Sequence, residues 1–267
     1  MHAGKQQDII TETDELPLDK IPKSENISFK PKFTARYRLL LGDRYDEFIK
    51  FSLSYINKCI RVNTLKITIP ELKKRMSQNW NLKQIPWCKE GFWIEHRGEG
   101  NEKRFDIGNT IEHQLGYIYV QDGASMIPPI ALEPKPGEKV LDMCASPGSK
   151  TTEIAQLMEN RGVIIANEMQ CSRIIPLSAN MQRCGVLNSV ITAMAGERFP
   201  KAGMLFDRIL VDAPCSGTGT IRRNLKNIKM WSPELVKKMS LMQKSLISSA
   251  YQCLKQGGTL VYSTCTL

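Results

Sequence analysis

Short apolar runs and stretches with helical spacing alternate along the second half of the chain. The runs are rich in β-branched residues and cover positions 139–142, 163–167, 189–193, 208–211 and 259–263. Apolar residues recur with helical spacing over 151–157, 172–184 and 232–254. Continuous apolar strands separated by helices predict an α/β domain with a parallel sheet, helices on both of its faces and right-handed crossovers.

The first half of the chain has a different pattern. Residues 1–27 are polar without clear periodicity, which predicts a flexible tail. A helix is predicted over about 33–58, where apolar residues recur at Leu40, Tyr45, Phe48, Ile49, Leu53 and Ile56. A strand, a helix opened by Pro70 and several short strand-like pieces follow at 59–65, 70–79 and 82–120. We therefore predict a small α+β subdomain over 28–133 and the α/β domain over 134–267.

Composition places the chain among globular proteins. Hydrophobic residues make up 42% and charged residues 24% of its 267 positions, a balance that is typical of folded domains. No apolar stretch approaches the roughly 18–20 residues of a membrane helix, and no basic-then-apolar leader opens the chain. We therefore expect a soluble cytoplasmic protein that has no membrane partner and is a monomer.

The eight cysteines do not form a metal or disulfide pattern. No CxxC pair is present, no histidine stands at ligand spacing, and the chain has three histidines in all, so we predict no metal site. A disulfide framework is disfavoured in a chain of this size without a secretion signal, and most thiols are expected to be reduced. Four of them are predicted to be core residues: Cys59, Cys171, Cys184 and Cys253.

The net charge of +10 is unevenly distributed. Residues 1–26 hold three Lys against six Asp or Glu, a balance of −3, which leaves +13 for the remainder. Residues 222–244 hold seven basic residues against the single acid Glu234: Arg222, Arg223, Lys226, Lys229, Lys237, Lys238 and Lys244. Such clustering favours a polyanion partner, above all nucleic acid, over the alternative of a solvated helix face.

A candidate cofactor loop follows the first strand of the α/β domain. The segment Cys144-Ala145-Ser146-Pro147-Gly148-Ser149-Lys150 stands between that strand and a helix start. Its single glycine excludes a dinucleotide G-x-G-x-x-G motif, and its spacing excludes a P-loop. One glycine suits close backbone approach to a ligand without a polyphosphate, such as S-adenosylmethionine. Glu168 ends the second strand, where a carboxylate can accept both ribose hydroxyls, although a surface acid is the alternative.

Two cysteines end neighbouring strands of the predicted sheet. Cys215 follows Asp212-Ala213-Pro214, and Cys265 follows Ser263-Thr264. Carboxyl ends of parallel strands face one crevice, so two thiols and a carboxylate are expected to meet around one substrate. A thiolate that adds to carbon 6 of cytosine makes carbon 5 electron-rich enough to accept a methyl group. Asp212 would then act as an acid, and Lys150 would hold the base carbonyl or negative charge.

These segments together resemble the Sun-type (Nol/Nop/Sun) RNA (cytosine-5)-methyltransferases. The motifs that carry the resemblance are Ile60-Arg61-Val62-Asn63-Thr64-Leu65-Lys66, Val120-Gln121-Asp122-Gly123-Ala124-Ser125, Asp142 to Thr151, Asp212 to Gly219, and Tyr262 to Leu267. The resemblance implies a Rossmann-like class I methyltransferase sheet, S-adenosylmethionine as the cofactor, and a small RNA-recognition subdomain ahead of it. Transfer RNA is the favoured substrate, ribosomal RNA the next, and a nucleolar location applies if the source is eukaryotic.

The resemblance also assigns roles to individual residues. It implies that Cys265 attacks carbon 6 and that Cys215 assists release of the methylated RNA, an order that the residues alone leave open. It further implies that residues Cys144 to Lys150, with Glu168, Arg173 and Asp212, line the S-adenosylmethionine site.

Two departures from the family pattern shape the alternative interpretation. Ala195 stands where the family usually has an acid that holds the adenine amine, with Glu197 as a candidate substitute and Phe199-Pro200 present as usual. The chain also stops two residues after Cys265, so we expect the C-terminal strands of the sheet to be missing and Cys265 to lie at a frayed end. The alternative function is therefore an RNA-binding protein with an incomplete or inactive methyltransferase domain.

Overall fold

The computed structural model describes residues 20–21, 24, 27–55, 57–98 and 106–266. They form an antiparallel sheet and a parallel sheet, each with its own helices. Residues 1–19 of the predicted tail lie outside the described residues. The end of that segment is attached to the fold, because Lys20 pairs with Ser54 in an isolated β-bridge and the Ile21 amide donates to the Leu53 carbonyl at 2.9 Å.

The predicted helix over 33–58 is two helices. Helix α1 spans Pro31–Leu41 and α2 spans Tyr45–Ser52, with a 3₁₀ turn at Gly42–Arg44 between them. Gly42 has φ of +55°, a conformation that glycine adopts without the steric cost of a side chain, and the chain changes direction there. Aromatic rings of the two helices pack together: Phe33 and Tyr37 of α1 contact Phe48 of α2. Trp231, almost 200 positions further along the chain, joins this cluster.

The small sheet is antiparallel, with the order β2-β3-β1-β4. Its strands are β1 Cys59–Val62, β2 Trp80–Gln84, β3 Gly91–His96 and β4 Ile118–Val120, and its helices are α3 Ile69–Met76 and α4 Ile111–Gln114. The strand predicted over 59–65 ends three residues early. Asn63 leaves the ladder because its side-chain amide donates to the carbonyls of Gly116 and Cys184, both at 2.8 Å.

The large sheet is parallel, with the order β7-β6-β5-β8-β9. Its strands are β5 Lys139–Asp142, β6 Val163–Asn167, β7 Ser189–Thr192, β8 Phe206–Asp212 and β9 Leu254–Ser263. The prediction of an α/β domain with a parallel sheet is confirmed. The strand order reverses beside β5, and ligands bind at such a switch point, outside the carboxyl ends of the strands.

Helices cover both faces of this sheet, as predicted. They are α5 Ile127–Leu132, α6 Ser149–Leu157, α7 Cys171–Cys184 and α9 Pro233–Gln252. Helix α8, Lys226–Met230, packs instead with α1 and α2. Successive strand residues point to opposite faces, so Val140 packs with α5 and α6, whereas Leu141 packs with α9. The helix predicted to continue to Leu254 ends earlier, because Leu254 begins β9 and pairs with Phe206.

Candidate active site

The loop between β5 and α6 is bound to the neighbouring strand. The Ala145 amide donates to the Asn167 carbonyl at 2.8 Å, and the Gly148 amide donates back to the Ala145 carbonyl at 2.8 Å. Gly148 has φ of +102°, and a Cβ there would approach Leu177 at 3.1 Å, so the turn into α6 requires glycine. The predicted segment 144–150 is therefore a tight turn at the carboxyl edge of the sheet.

Asp142, at the end of β5, has one carboxylate oxygen that lacks a partner. Its Oδ2 accepts a hydrogen bond from the Thr151 hydroxyl at 2.7 Å, whereas the buried Oδ1 meets no donor among the described residues. Burial raises the pKa of Asp142 to about 6. An unpartnered buried acceptor of this kind fits the cationic amino group of an amino-acid ligand. This role of Asp142 was not predicted from the sequence, although its position at a strand end next to the loop was a signal.

Glu168 and Arg173 lie together at the end of β6. The Glu168 side chain is buried, accepts from the Gln170 amide at 2.8 Å and forms an ion pair with Arg173 at 3.4 Å. Arg173 also donates to the Ser146 carbonyl at 2.8 Å, and the Ser146 hydroxyl donates to the Arg173 carbonyl at 2.8 Å. The structure therefore brings these predicted cofactor-binding residues to one side of the loop.

Asn167 organises the side of the site where Ala195 stands. Its amide group donates to the carbonyls of Met143 and Met194 at 3.1 and 2.9 Å, and its Oδ1 accepts from Thr192 at 2.9 Å. These bonds hold the end of β7 against the cofactor loop. Ala195 itself is half-buried and offers no side-chain acceptor for an amine. Ala195 can therefore offer an amine only its backbone carbonyl as an acceptor.

The two cysteines predicted to meet do so. The sulfur atoms of Cys215 and Cys265 are paired as a disulfide, with their Cα atoms 6.5 Å apart. Cys265 is exposed and Cys215 is half-buried. Cys265 is held in place, contrary to the expectation of a frayed end, because the Gly219 amide donates to its carbonyl at 2.7 Å and Ser216 bonds to Thr266 at 2.7 Å.

Asp212 connects the cysteine pair with the candidate cofactor loop. Its Oδ2 lies 2.6 Å from the Lys150 ammonium, and its Oδ1 accepts from the Ser263 hydroxyl at 2.7 Å. Ser263 was not assigned a role from the sequence. It is the last residue of β9 and stands two positions before Cys265, so its hydrogen bond places Asp212 at the strand end from which Cys265 follows. Lys150 and Asp212 are partly buried, which strengthens their attraction relative to a surface pair.

The remaining thiols differ from this pair. Burial raises the pKa of Cys144 to about 12, and the carboxylates of Asp142 and Glu168 raise it further, so Cys144 stays protonated. Cys59, Cys184 and Cys253 are buried, as predicted for core residues. The prediction for Cys171 is wrong, because this side chain is exposed at the first position of α7.

The basic residues of 222–244 lie largely at the surface. Arg222 is half-buried, and the others are exposed: Arg223, Lys226, Lys229, Lys237, Lys238 and Lys244. Arg223 forms an ion pair with Asp122 of the small subdomain at 2.7 Å. In the part of the chain that the structure describes, no helix is both long and apolar enough to span a bilayer. The exposed cations fit the predicted polyanion partner.

Comparisons with known proteins agree with this geometry. Residues 129–267 match the family described as 16S rRNA methyltransferase RsmB/F, and residues 29–123 match the N-terminal domain of 16S rRNA methyltransferase RsmF. Ribosomal RNA small subunit methyltransferase F of Vibrio cholerae is 45% identical over 250 residues, which are 91% of this chain and 52% of that protein. The Vibrio vulnificus protein of the same name is 46% identical over the same shares of the two chains.

A solved structure has the same fold. A methyltransferase homolog protein from Pyrococcus horikoshii has a TM-score of 0.80 and 37% identity, and the match covers 92% of this chain and 78% of that one. The chain spans about half the length of the curated relatives it matches.

Proposed function

Because the chain belongs to the RsmB/F family of 16S rRNA methyltransferases, we propose that it methylates carbon 5 of cytosine in ribosomal RNA with S-adenosylmethionine as the donor. The resemblance to the Sun-type enzymes is confirmed, as is the Rossmann-like class I methyltransferase fold. The observation that carries the proposal is the pairing of Cys215 with Cys265 beside the Asp212–Lys150 ion pair. A covalent pyrimidine mechanism needs such a set.

The cofactor fits the residues at the edge of β5 and β6. Asp142 offers its unpartnered oxygen to an amino group, and Glu168 offers its carboxylate to ribose hydroxyls. The turn that Gly148 permits would let the backbone of 144–150 approach the cofactor closely. When bound, S-adenosylmethionine supplies an electrophilic methyl group on a sulfonium.

The reaction begins with addition of the Cys265 thiolate to carbon 6 of cytosine. A carbon–sulfur bond forms, electrons of the ring double bond shift to carbon 5, and Asp212 passes a proton from the Lys150 ammonium, 2.6 Å away, to ring nitrogen 3. Carbon 5 then takes the methyl group. Removal of the carbon 5 proton with the assistance of Cys215 restores the double bond and expels Cys265 as a thiolate, and the proton on ring nitrogen 3 returns to Lys150 through Asp212. Lys150 holds Asp212 in position and offsets its charge.

The substrate proposed here is RNA of the small ribosomal subunit. The relatives that match 91% of this chain carry that substrate in their names, and the preference for transfer RNA stays a prediction. A cytoplasmic location goes with this substrate. The alternative of an inactive RNA-binding protein is disfavoured by the placement of Cys215, Cys265, Asp212 and Lys150 at one strand edge.

A covalent adduct with RNA tests the proposal. The variant Cys215→Ala, incubated under reducing conditions with S-adenosylmethionine and an unmethylated transcript of small-subunit ribosomal RNA, should form a protein–RNA adduct that survives denaturing gel electrophoresis. Cys265→Ala is the matched control and should form none. Bisulfite sequencing of the transcript treated with the wild-type chain should show one protected cytosine. An unmodified transcript and no adduct from either variant would overturn the proposed activity.

A further inference from the structure

A cavity of about 240 Å³ lies beside the cysteine pair and belongs to none of the sites described above. It is lined by Phe48, Phe51, Ser52, Gly219, Ile221 and Arg222. Helix α2 of the small subdomain forms one wall, and the 3₁₀ turn Thr218–Arg223 that follows Cys215 forms the other. A volume below that of drug-sized sites suits a single planar ring system.

The cavity touches the candidate nucleophile through Gly219. The Gly219 amide donates to the Cys265 carbonyl at 2.7 Å, and a Cβ at Gly219 would lie 2.6 Å from that oxygen. One residue therefore contacts Cys265 and also lines the cavity. When a cytosine reaches Cys265, the nucleotide next to it is therefore within reach of this opening.

The chemistry of the lining suits a nucleobase. Phe51 is 42% exposed although it is a large apolar side chain, so its ring is open to stacking. Arg222 makes no hydrogen bond or ion pair with any residue that the structure describes, which leaves its guanidinium for a base edge or a phosphate. None of the described lining residues is acidic, and the surface beyond Arg222 is basic. A polyanion with flat, apolar-faced rings matches this combination.

The cavity is held in shape before any ligand arrives. Tyr37 of α1 bonds to the Thr218 hydroxyl at 2.9 Å, and Arg223 pairs with Asp122 at 2.7 Å. The turn is thus fixed at both ends by the small subdomain. A preformed site loses less free energy to ordering when it binds.

We infer that this cavity receives the RNA base adjacent to the target cytosine, with Phe51 stacking on its face and Arg222 contacting its edge or phosphate. The inference rests on the proposed RNA methylation and names a second subsite for it. The small subdomain then contributes directly to the choice of cytosine. A base that stacks well would favour methylation of the cytosine beside it.

Removal of the base next to the target cytosine and removal of the Phe51 ring should weaken RNA binding in the same way, because each removes one side of the same stack. Once bisulfite sequencing identifies the cytosine, fragments of the ribosomal RNA around it are made with an abasic ribose on either side, and binding is measured by fluorescence anisotropy. Phe51→Ala should weaken binding of the intact fragment roughly 5- to 150-fold, the range for one base stacked on an aromatic ring. At one of the two positions, removal of the base should cause Phe51→Ala no further loss: this variant should bind that abasic fragment as tightly as it binds the intact fragment.

Two further variants serve as controls. Phe51→Trp should restore affinity, because it restores an aromatic face, and Leu40→Ala should have no effect, because Leu40 is exposed on α1 outside the cavity. Two results would overturn the subsite. One is equal binding of the intact fragment by wild type and Phe51→Ala; the other is that, at both abasic positions, the loss of affinity from base removal multiplies with the loss from Phe51→Ala. Either result would leave the cavity as a site for an apolar protein segment. A wild-type chain that methylates in that case keeps the proposed function; a chain that methylates no cytosine loses both.

Discussion

The Arg61 side chain connects the small subdomain to the first turns of α6, and its removal should destabilise the fold in a pH-dependent way. Arg61 stands on β1 with 1% of its side chain exposed and forms an ion pair with the equally buried Glu153 at 3.7 Å. Its guanidinium also donates to the side chains of Gln121 at 2.9 Å, Thr152 at 2.8 Å and Gln156, and to the Ser149 carbonyl at 3.4 Å. The variant Arg61→Met keeps most of the volume and removes every one of these bonds.

The size of the effect follows from the charge that is left behind. Truncation of one partner of a buried ion pair costs about 3–5 kcal/mol, because the other charge stays buried without compensation. Burial already raises the pKa of Glu153 from 4.5 to about 7, and Arg61 opposes that shift. Without Arg61, the pKa of Glu153 rises further, so the folded variant keeps the proton to a higher pH.

The sign of the pH dependence is set by this raised pKa. A carboxyl whose pKa is higher in the folded state than in the unfolded state makes the protein lose stability as pH rises between the two values. For the wild type this loss ends once pH has risen through the folded-state pKa of about 7. For Arg61→Met it continues to higher pH, because the folded-state pKa of Glu153 is higher. The destabilisation caused by the substitution should therefore be larger at pH 8 than at pH 6.

Urea denaturation at the two pH values measures this difference. The double variant Arg61→Met/Glu153→Gln should recover part of the loss at pH 8, because no buried charge remains. The control Arg38→Met removes an exposed pair with Asp46, 4.0 Å apart, and should change stability by about 1 kcal/mol or less. Equal destabilisation by Arg61→Met at pH 6 and pH 8, with no recovery in the double variant, would refute the reasoning.

Three further predictions concern the site. Gly219→Ala would place a Cβ 2.6 Å from the Cys265 carbonyl, so methyl transfer should fall roughly 100-fold while the melting temperature stays unchanged; a normal rate would contradict this. Oxidation of Cys215 and Cys265 to a disulfide with diamide should abolish methyl transfer, and reduction with dithiothreitol should restore it, because the reaction needs both thiols free. Methyl transfer by the oxidised protein would contradict this. Asp142→Asn should weaken S-adenosylmethionine binding roughly 10- to 100-fold at pH 8 by calorimetry. Because the pKa of Asp142 is about 6, wild-type binding should strengthen from pH 5 to pH 7 and variant binding should not, and parallel pH profiles would count against its assigned contact.

The strands of the parallel sheet were predictable because each is a local, self-contained signal. The runs at 139–142 and 163–167 became β5 and β6 with the same bounds. A buried strand of a parallel sheet is apolar on both faces, so its sequence alone marks it. The break between α1 and α2 was missed, because Gly42 lies within a stretch whose apolar residues keep helical spacing on either side.

Buried charges were beyond what the sequence pattern could predict. Arg61 stands in an apolar strand, and its partners lie 60 to 95 positions further along the chain. Nothing in the local pattern distinguishes it from a charge that projects into solvent. The same holds for Asn63, which ends β1 because it bonds to a carbonyl 121 positions away. Such residues are recognised only when tertiary contacts are known.

The meeting of the two thiols was predictable, but what separates their roles was not. Any two strands of a parallel sheet end at the same edge, so Cys215 and Cys265 had to be neighbours if β8 and β9 were. Their environments differ in ways that only the fold creates. Cys265 is the more exposed, and Ser263, which ends β9 two positions before it, bonds to Asp212. In the proposed mechanism, the exposed Cys265 is the cysteine that an incoming base would meet first, and the bond from Ser263 places Asp212 near it.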